Sequence, residues 1–247
     1  MNTKITTIAL AALTILLASF LIPVNKSPQQ TADNTLTAAE KKSGWVLLFD
    51  GKTTNGWRTY QNLPDDSWEI AKGQLHCKHD GVTKRADLVT KEEYPSFELV
   101  MDWKVEKGCN SGLLYHVLET HKSSYETGPE YQLIDDLGYT ENGKTTQLEE
   151  WQKSGADYAM HPPSKLTAKP AGQYNHTRLV VKGAHVEHWL NGVKVVDFEA
   201  WTPDWQKLKT SGKWKDYPDY GLSKTGLIAL QDHGGGIWFK NIKIRKL

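Results

Sequence analysis

Apolar and polar residues alternate along most of the chain from Trp45 onward, in short runs punctuated by Gly, Asn, Asp and Pro. The clearest run is 97–106. Phe97, Leu99, Met101, Trp103 and Val105 fall on one face and Glu98, Asp102, Lys104 and Glu106 on the other, the two-residue period of a half-buried strand. Comparable runs predict strands at 45–49, 68–72, 113–118, 130–134, 177–182, 185–190, 193–198, 226–231 and 237–245. Between two of these, Asn191-Gly192 is the dipeptide that best tolerates the positive φ angles of a tight hairpin. Sustained helical periodicity is lacking. About ten short strands in one domain predict an all-β fold, a two-sheet antiparallel β-sandwich of the jelly-roll kind. The alternation fails at 135–170 and 201–223, where Trp, Tyr, Pro and Lys accumulate. Long irregular connections of this sort in a compact domain are usually functional.

The first 26 residues differ. Lys4 precedes an apolar stretch over 8–24, broken only by Thr14, Ser19 and Pro23. Its uninterrupted part is shorter than the ~20 residues of a spanning helix, so residues 1–26 read as a secretory signal peptide. Lacking a sharp A-x-A site, the segment leaves an uncleaved anchor as the alternative. Residues 27–44, polar and Thr-, Gln- and Ala-rich, are expected to form a flexible tether. Residues 45–247 then form a single domain, in a periplasmic or secreted protein with no stable membrane domain after signal cleavage. In such a compartment Cys77 and Cys109 are either one disulfide or two buried free thiols.

Charge excludes one class of partner. Thirty Lys and Arg balance 29 Asp and Glu, which leaves no basic footprint for a nucleic acid backbone. With 10% aromatic and 38% hydrophobic residues, the chain has ample material for a core and is not a disordered protein.

The nine His and ten Trp crowd the search for chemistry. The pairs His76/His79 and His185/His188 are three apart, so on strands they face opposite sides and form no metal clip. No HExxH, paired-Cys zinc pattern or Ca-loop spacing occurs, so a metal site would be assembled from distant strands. Alternation puts Glu130 and Gln132 on one face of their strand and Tyr131 and Leu133 on the other; taken alone, this suggests a solvated sheet face. His116 shares the face of Leu114 and Leu118 on the same alternation, as a core or a ligand-facing histidine. The run 230–236 ends a strand in Asp232, His233 and three glycines. It places His233 either at a cleft rim, as a general base or acid, or in a surface hairpin.

Together these residues resemble the 3-keto-disaccharide hydrolase domain family. The resemblance is carried by 45–53 (WVLLFDGKT) followed by Gly56-Trp57, by Asn110-Ser111-Gly112, by 128–136, by 169–172, by 188–192 (HWLNG), and by 230–234 with 239–244. Relatives often read GNSG where this chain carries Cys109, which weakens the disulfide expectation rather than the resemblance. It implies a concanavalin A-like sandwich and a carbohydrate substrate oxidised at C3. A C3 ketone acidifies the C2 hydrogen, so that a base removes it and the C1 glycosidic group leaves by elimination; water then restores net hydrolysis. On this reading His233 or His116 is the base, Glu130 and Gln132 hold the sugar or a divalent ion, and Asn110 or Lys224 assists the oxyanion. His161 and Trp151 wall the cleft, Trp151 as a stacking platform. A divalent metal is the one cofactor left open, and no organic cofactor is expected. A separate sugar oxidoreductase would supply the substrate. Two alternatives remain: a non-catalytic, lectin-like binding module, and an ordinary glycosidase using Glu130 with Asp232 across the cleft.

Overall fold

The computed structural model describes residues 32–247. The signal-peptide expectation and the first part of the tether lie outside the described residues. The strands are β1 (Val46–Leu47), β2 (Trp57–Thr59), β3 (Trp68–Ala71), β4 (Gln74–Cys77), β5 (Leu88–Thr90), β6 (Phe97–Val105), β7 (Asn110–Val117) and β8 (Glu130–Ile134). They continue with β9 (Thr140–Glu141), β10 (Lys144–Thr145), β11 (Asn175–Lys182), β12 (His185–Leu190), β13 (Val193–Glu199), β14 (Leu227–Leu230) and β15 (Ile237–Lys246). Among the described residues there are two α-helices, α1 (Ala38–Lys42) and α2 (Pro203–Ser211).

The strands make two large antiparallel sheets and one small hairpin. The larger sheet runs β13-β12-β11-β6-β15-β4-β3 with β1 added on β15; the smaller runs β2-β5-β14-β7-β8. Between them lie the apolar faces that the alternation predicts. Phe97, Leu99, Met101, Trp103 and Val105 of β6 are buried with Leu113, Tyr115, Tyr131 and Leu133 of the smaller sheet. Each such side chain contributes on the order of 1.5–3 kcal/mol by leaving water. The one polar atom of Trp103 is satisfied inside the core, its Nε1 donating to Thr177 Oγ1 at 3.0 Å. The Asn191-Gly192 hairpin forms as expected, with φ of 52° and 82°.

Three features differ from expectation, and one open alternative is decided. Strands β2, β4 and β5 are three or four residues long, too short to show a period in sequence. From Asp33 on, the tether is held against the larger sheet: Asn34 exchanges hydrogen bonds with Asn241, and Glu40 accepts from Lys243 Nζ at 2.7 Å. Helix α1 is closed by a capping box between Thr37 and Glu40, so local and tertiary hydrogen bonds offset the entropy that polarity alone suggested. Of the two alternatives for the cysteines, the structure has both as buried free thiols. Finally, β7 carries a bulge opposite Ile228, between the pairs Ala229↔Leu114 and Leu227↔Val117. The bulge puts His116 at φ 53° and breaks the alternation that placed it with Leu114.

Candidate active site

Direct pairing across β7 and β8 places Gly112 opposite Gln132 and Leu114 opposite Glu130, all on the face away from the inter-sheet core. On β14 the neighbouring outward residue is Ala229, and Gln231 follows it, its N–H donating to Gly112 O. Small residues therefore form the middle of this outer face. Gly112 is required there: a Cβ at this position would overlap the carboxylate of Glu130. Glu130 lies across the space a side chain would fill.

The two irregular connections cover this face. Residues after β8 return along its free edge, with Gln132 N donating to Ala156 O and Tyr158 N to Glu130 O. The second connection begins with α2, capped by Thr202 and opened by Pro203. It then turns so that Trp214 is fully buried, stacked on Tyr220 at 3.9 Å and donating its Nε1 to Tyr158 O at 3.0 Å. Lys213 is held by aromatic faces, its Nζ 4.2 Å from the Tyr158 ring centre and 4.8 Å from that of Trp214. The face expected to be solvated is thus roofed, and Glu130 and Gln132 are 4% and 1% exposed.

The result is a cavity of about 240 Å³. Its floor is Asn110, Glu130, Gln132 and Gln231, its walls Tyr125, Tyr158 and Trp214, and Lys213 and His233 complete it. Among the described residues, Asn110 Oδ1 and Gln231 Oε1 are buried without a hydrogen-bond partner. Buried polar atoms are rarely left so except where a ligand or water completes them. A second depression of about 230 Å³ adjoins the first, sharing Tyr125, Gln231 and His233 and adding Arg85, Asp87 and Asp232.

The electrostatics separate the titratable groups. Burial raises the Glu130 carboxyl from its usual 4.5 to about 8, against the pull of Lys213 and with help from Asp87 and Asp157. Loss of hydration also lowers the Lys213 ammonium, which the charge of Glu130 opposes. His233 is exposed at the rim by surface area; the atoms packed around its ring nevertheless lower its pKa. In the adjoining depression, burial raises Asp87 to about 6, against hydrogen bonds from Ser124 and from the Asp232 backbone N–H. Burial thus favours the uncharged form of both the Glu130 carboxyl and the His233 imidazole, a pairing suited to acid and base roles.

Of the residues expected from sequence, the structure brings Glu130, Gln132, Asn110 and His233 together. It does not bring the others. His116 is 3% exposed, packs edge-on against Phe97 and Tyr115, and its Nε2 is 3.1 Å from Pro95 O. His161 pairs with Asp157 at 2.8 Å and stacks on Phe198 at 4.3 Å, pinning the first connection to β13. Trp151 packs against Tyr158, whose ring separates it from the cavity contents. Lys224 lies 5.1 Å from the Trp201 ring. Asp232 is turned into an ion pair with Arg85 at 2.8 Å, its side chain fully buried. It lines the adjoining depression and not the cavity of Glu130. Lys213, Trp214, Tyr125 and Gln231 were not anticipated as site residues. The only sequence signal for the first two was the Trp-, Tyr- and Lys-rich character of 201–223.

The fold is a two-sheet sandwich whose outer sheet face is roofed into a polar and aromatic cavity, and its relatives place it among carbohydrate-active hydrolases. More particularly, residues 44–245 match the family described as the 3-keto-alpha-glucoside-1,2-lyase-like domain, and the chain belongs to that family. It is 30% identical to a 3-keto-disaccharide hydrolase of Bacteroides thetaiotaomicron, over 92% of this chain and 86% of the relative. Among solved structures it is similar to a candidate glycosyl hydrolase of Parabacteroides distasonis, with 42% identity, a TM-score of 0.80, and coverage of 87% of this chain and 100% of that one. A second candidate glycosyl hydrolase from the same organism matches at 28% identity and a TM-score of 0.60, over 82% and 99% of the two chains.

Proposed function

We propose that the protein cleaves 3-keto-glycosides, such as 3-keto-disaccharides, by elimination followed by hydration. The carrying observation is that Glu130, buried with no hydrogen bond to its carboxyl, and His233 line one cavity, where burial raises the pKa of the one and lowers that of the other. His233 takes the C2 hydrogen as a proton, and the electron pair moves into the enolate of the C3 ketone. Lys213, with Asn110, balances the enolate oxygen. The C1–O bond then breaks with its electron pair on the departing oxygen, which receives the Glu130 proton. Water adds back as hydroxyl at C1 and hydrogen at C2; Glu130 takes its proton, and His233 returns the one it holds. No oxocarbenium ion is formed, so one carboxyl suffices. The adjoining depression suits the second ring of a disaccharide. The family and the activity of the Bacteroides relative support this substrate class. The apolar leader supports export to the periplasm or beyond, and the substrate calls for a separate sugar oxidoreductase to introduce the ketone.

The test offers the purified protein a 3-keto-disaccharide and its unoxidised parent, following sugar release and the ultraviolet absorbance of an unsaturated keto-sugar. Cleavage of the oxidised substrate alone is expected, with Glu130→Gln and His233→Ala each reducing the rate at least ~100-fold while the fold is retained. Equal cleavage of the parent, or full activity in both variants, overturns the proposal. Sugar binding without turnover would instead mark a lectin-like protein.

A further inference from the structure

Among the described residues, two clusters bring three His, Cys, Asp or Glu donor atoms within 4.8 Å of one another, and neither includes Glu130. One, His185 with Glu187 and Asp197, is already occupied by a cation, since Lys194 pairs with both carboxylates. The other is His79, Glu106 and Cys109. Glu106 has no Lys or Arg partner among the described residues; its nearest cationic group is His79 Nδ1 at 3.9 Å.

The backbone is shaped around this second cluster. The three donors come from the ends of neighbouring elements, after β4, after β6 and before β7. Glu106 N donates to Gly236 O and Cys109 N to Glu106 O, which ties them together. The glycines after His233 make room: a Cβ on Gly236 would overlap the Glu106 carboxylate, and one on Gly235 would stand 2.6 Å from Cys109 Cβ and 2.9 Å from its Sγ. Gly235 and Gly236 therefore serve the cluster and not merely a hairpin. In front of the cluster lies a cavity of about 270 Å³, lined by His79 and Cys109 together with Asn110 and His233. Asn110 is 9% exposed, and its Oδ1 is buried without a partner.

We propose that His79, Glu106 and Cys109 form a binding site for a zinc-type transition-metal ion, open on the side of Asn110 and His233. Imidazole, carboxylate and thiolate together select a borderline-soft ion over Ca²⁺ or Mg²⁺. Three protein donors with one open position is the pattern of a metal that takes an exogenous ligand. The donors close to bonds of ~2.0–2.3 Å with shifts of about an ångström, available to the side chains of His79 and Glu106, which are 56% and 40% exposed. Binding displaces the thiol proton of Cys109, and no oxidant or reductant is involved. The site does not depend on the sugar-cleavage reading, and its test needs no substrate.

Titrating the untagged protein with Co²⁺ under a phosphine reductant reads the site directly. Expected is a thiolate-to-cobalt charge-transfer band that saturates at one equivalent, is displaced by Zn²⁺, and is lost in Cys109→Ser. His79→Ala, a change at an exposed residue that spares the fold, is expected to weaken Zn²⁺ at least ~10-fold in competition with a chromophoric chelator. Absence of the band, its persistence in Cys109→Ser, or unchanged Zn²⁺ affinity in His79→Ala would each overturn the proposal.

Discussion

Both sheets turn a polar face away from the common core, and they use it differently. On the larger sheet the charges are partnered. Glu98 accepts from Arg178 Nε at 2.5 Å and from Arg245 Nε at 2.7 Å, and Asp102 is shared by His176 and Asn241, each at 2.7 Å. On the smaller sheet, Glu130 is as buried as Glu98, yet no group among the described residues hydrogen-bonds its carboxylate. The same residue type on equivalent faces is fully paired in one place and without a hydrogen bond in the other. What differs is the partner: guanidinium groups complete Glu98, whereas Glu130 is left beside a lysine held by aromatic rings. A buried carboxyl without hydrogen bonds costs stability and gains a proton near neutral pH, which a catalytic acid needs.

The largest expected break in this contrast comes from Lys213→Met, which removes the cation but keeps the stem that packs on Tyr158 and Trp214. Turnover of a 3-keto substrate should fall by roughly 10²–10³-fold, with little change in Tm. The pH profile sharpens the same point. Activity should decline below the lowered pKa of His233, as its imidazole gains a proton, and above about 8, as Glu130 loses one. Each limb should approach about tenfold per pH unit. On the other sheet, Glu98→Ala should destabilise by about 1–3 kcal/mol, the scale of lost charge-assisted hydrogen bonds, and leave kcat/KM unchanged at a temperature where the protein is folded.

The smallest effect runs opposite in sign. Because the folded pKa of Glu130 lies above the unfolded 4.5, the folded state binds more protons between about 4.5 and 8. Stability therefore falls as pH rises through that window. Glu130→Gln should remove this loss, raising Tm by about 2 °C or more at pH 9 and not at all near pH 4. A variant that is less stable at pH 9 would show that Glu130 is a partnered carboxylate like Glu98.

Much of this was legible in the chain alone. The two-residue period of β6 set its buried face, the Asn191-Gly192 turn marked its hairpin, and alternation put Glu130 with Gln132 opposite Tyr131 and Leu133. These are local properties, determined by how successive side chains leave a pleated backbone. The order of motifs along residues 45–244 likewise carried the family. Where local order broke, the sequence was silent. A bulge of one residue turned His116 out of its expected face and into the packing around Phe97. Lys224 and Lys213 sit in or beside one irregular connection, and the packing of Trp214 on Tyr220 decided which of them entered the cavity. Whether a carboxyl is paired depends on residues remote along the chain, since Glu98 meets Arg245 and Asp232 meets Arg85 across 147 positions in each case. The sequence by itself determined the strands, their faces and the family. Tertiary structure decided which polar groups were left unpaired, because hydrogen-bond satisfaction is a property of three-dimensional neighbours and not of period.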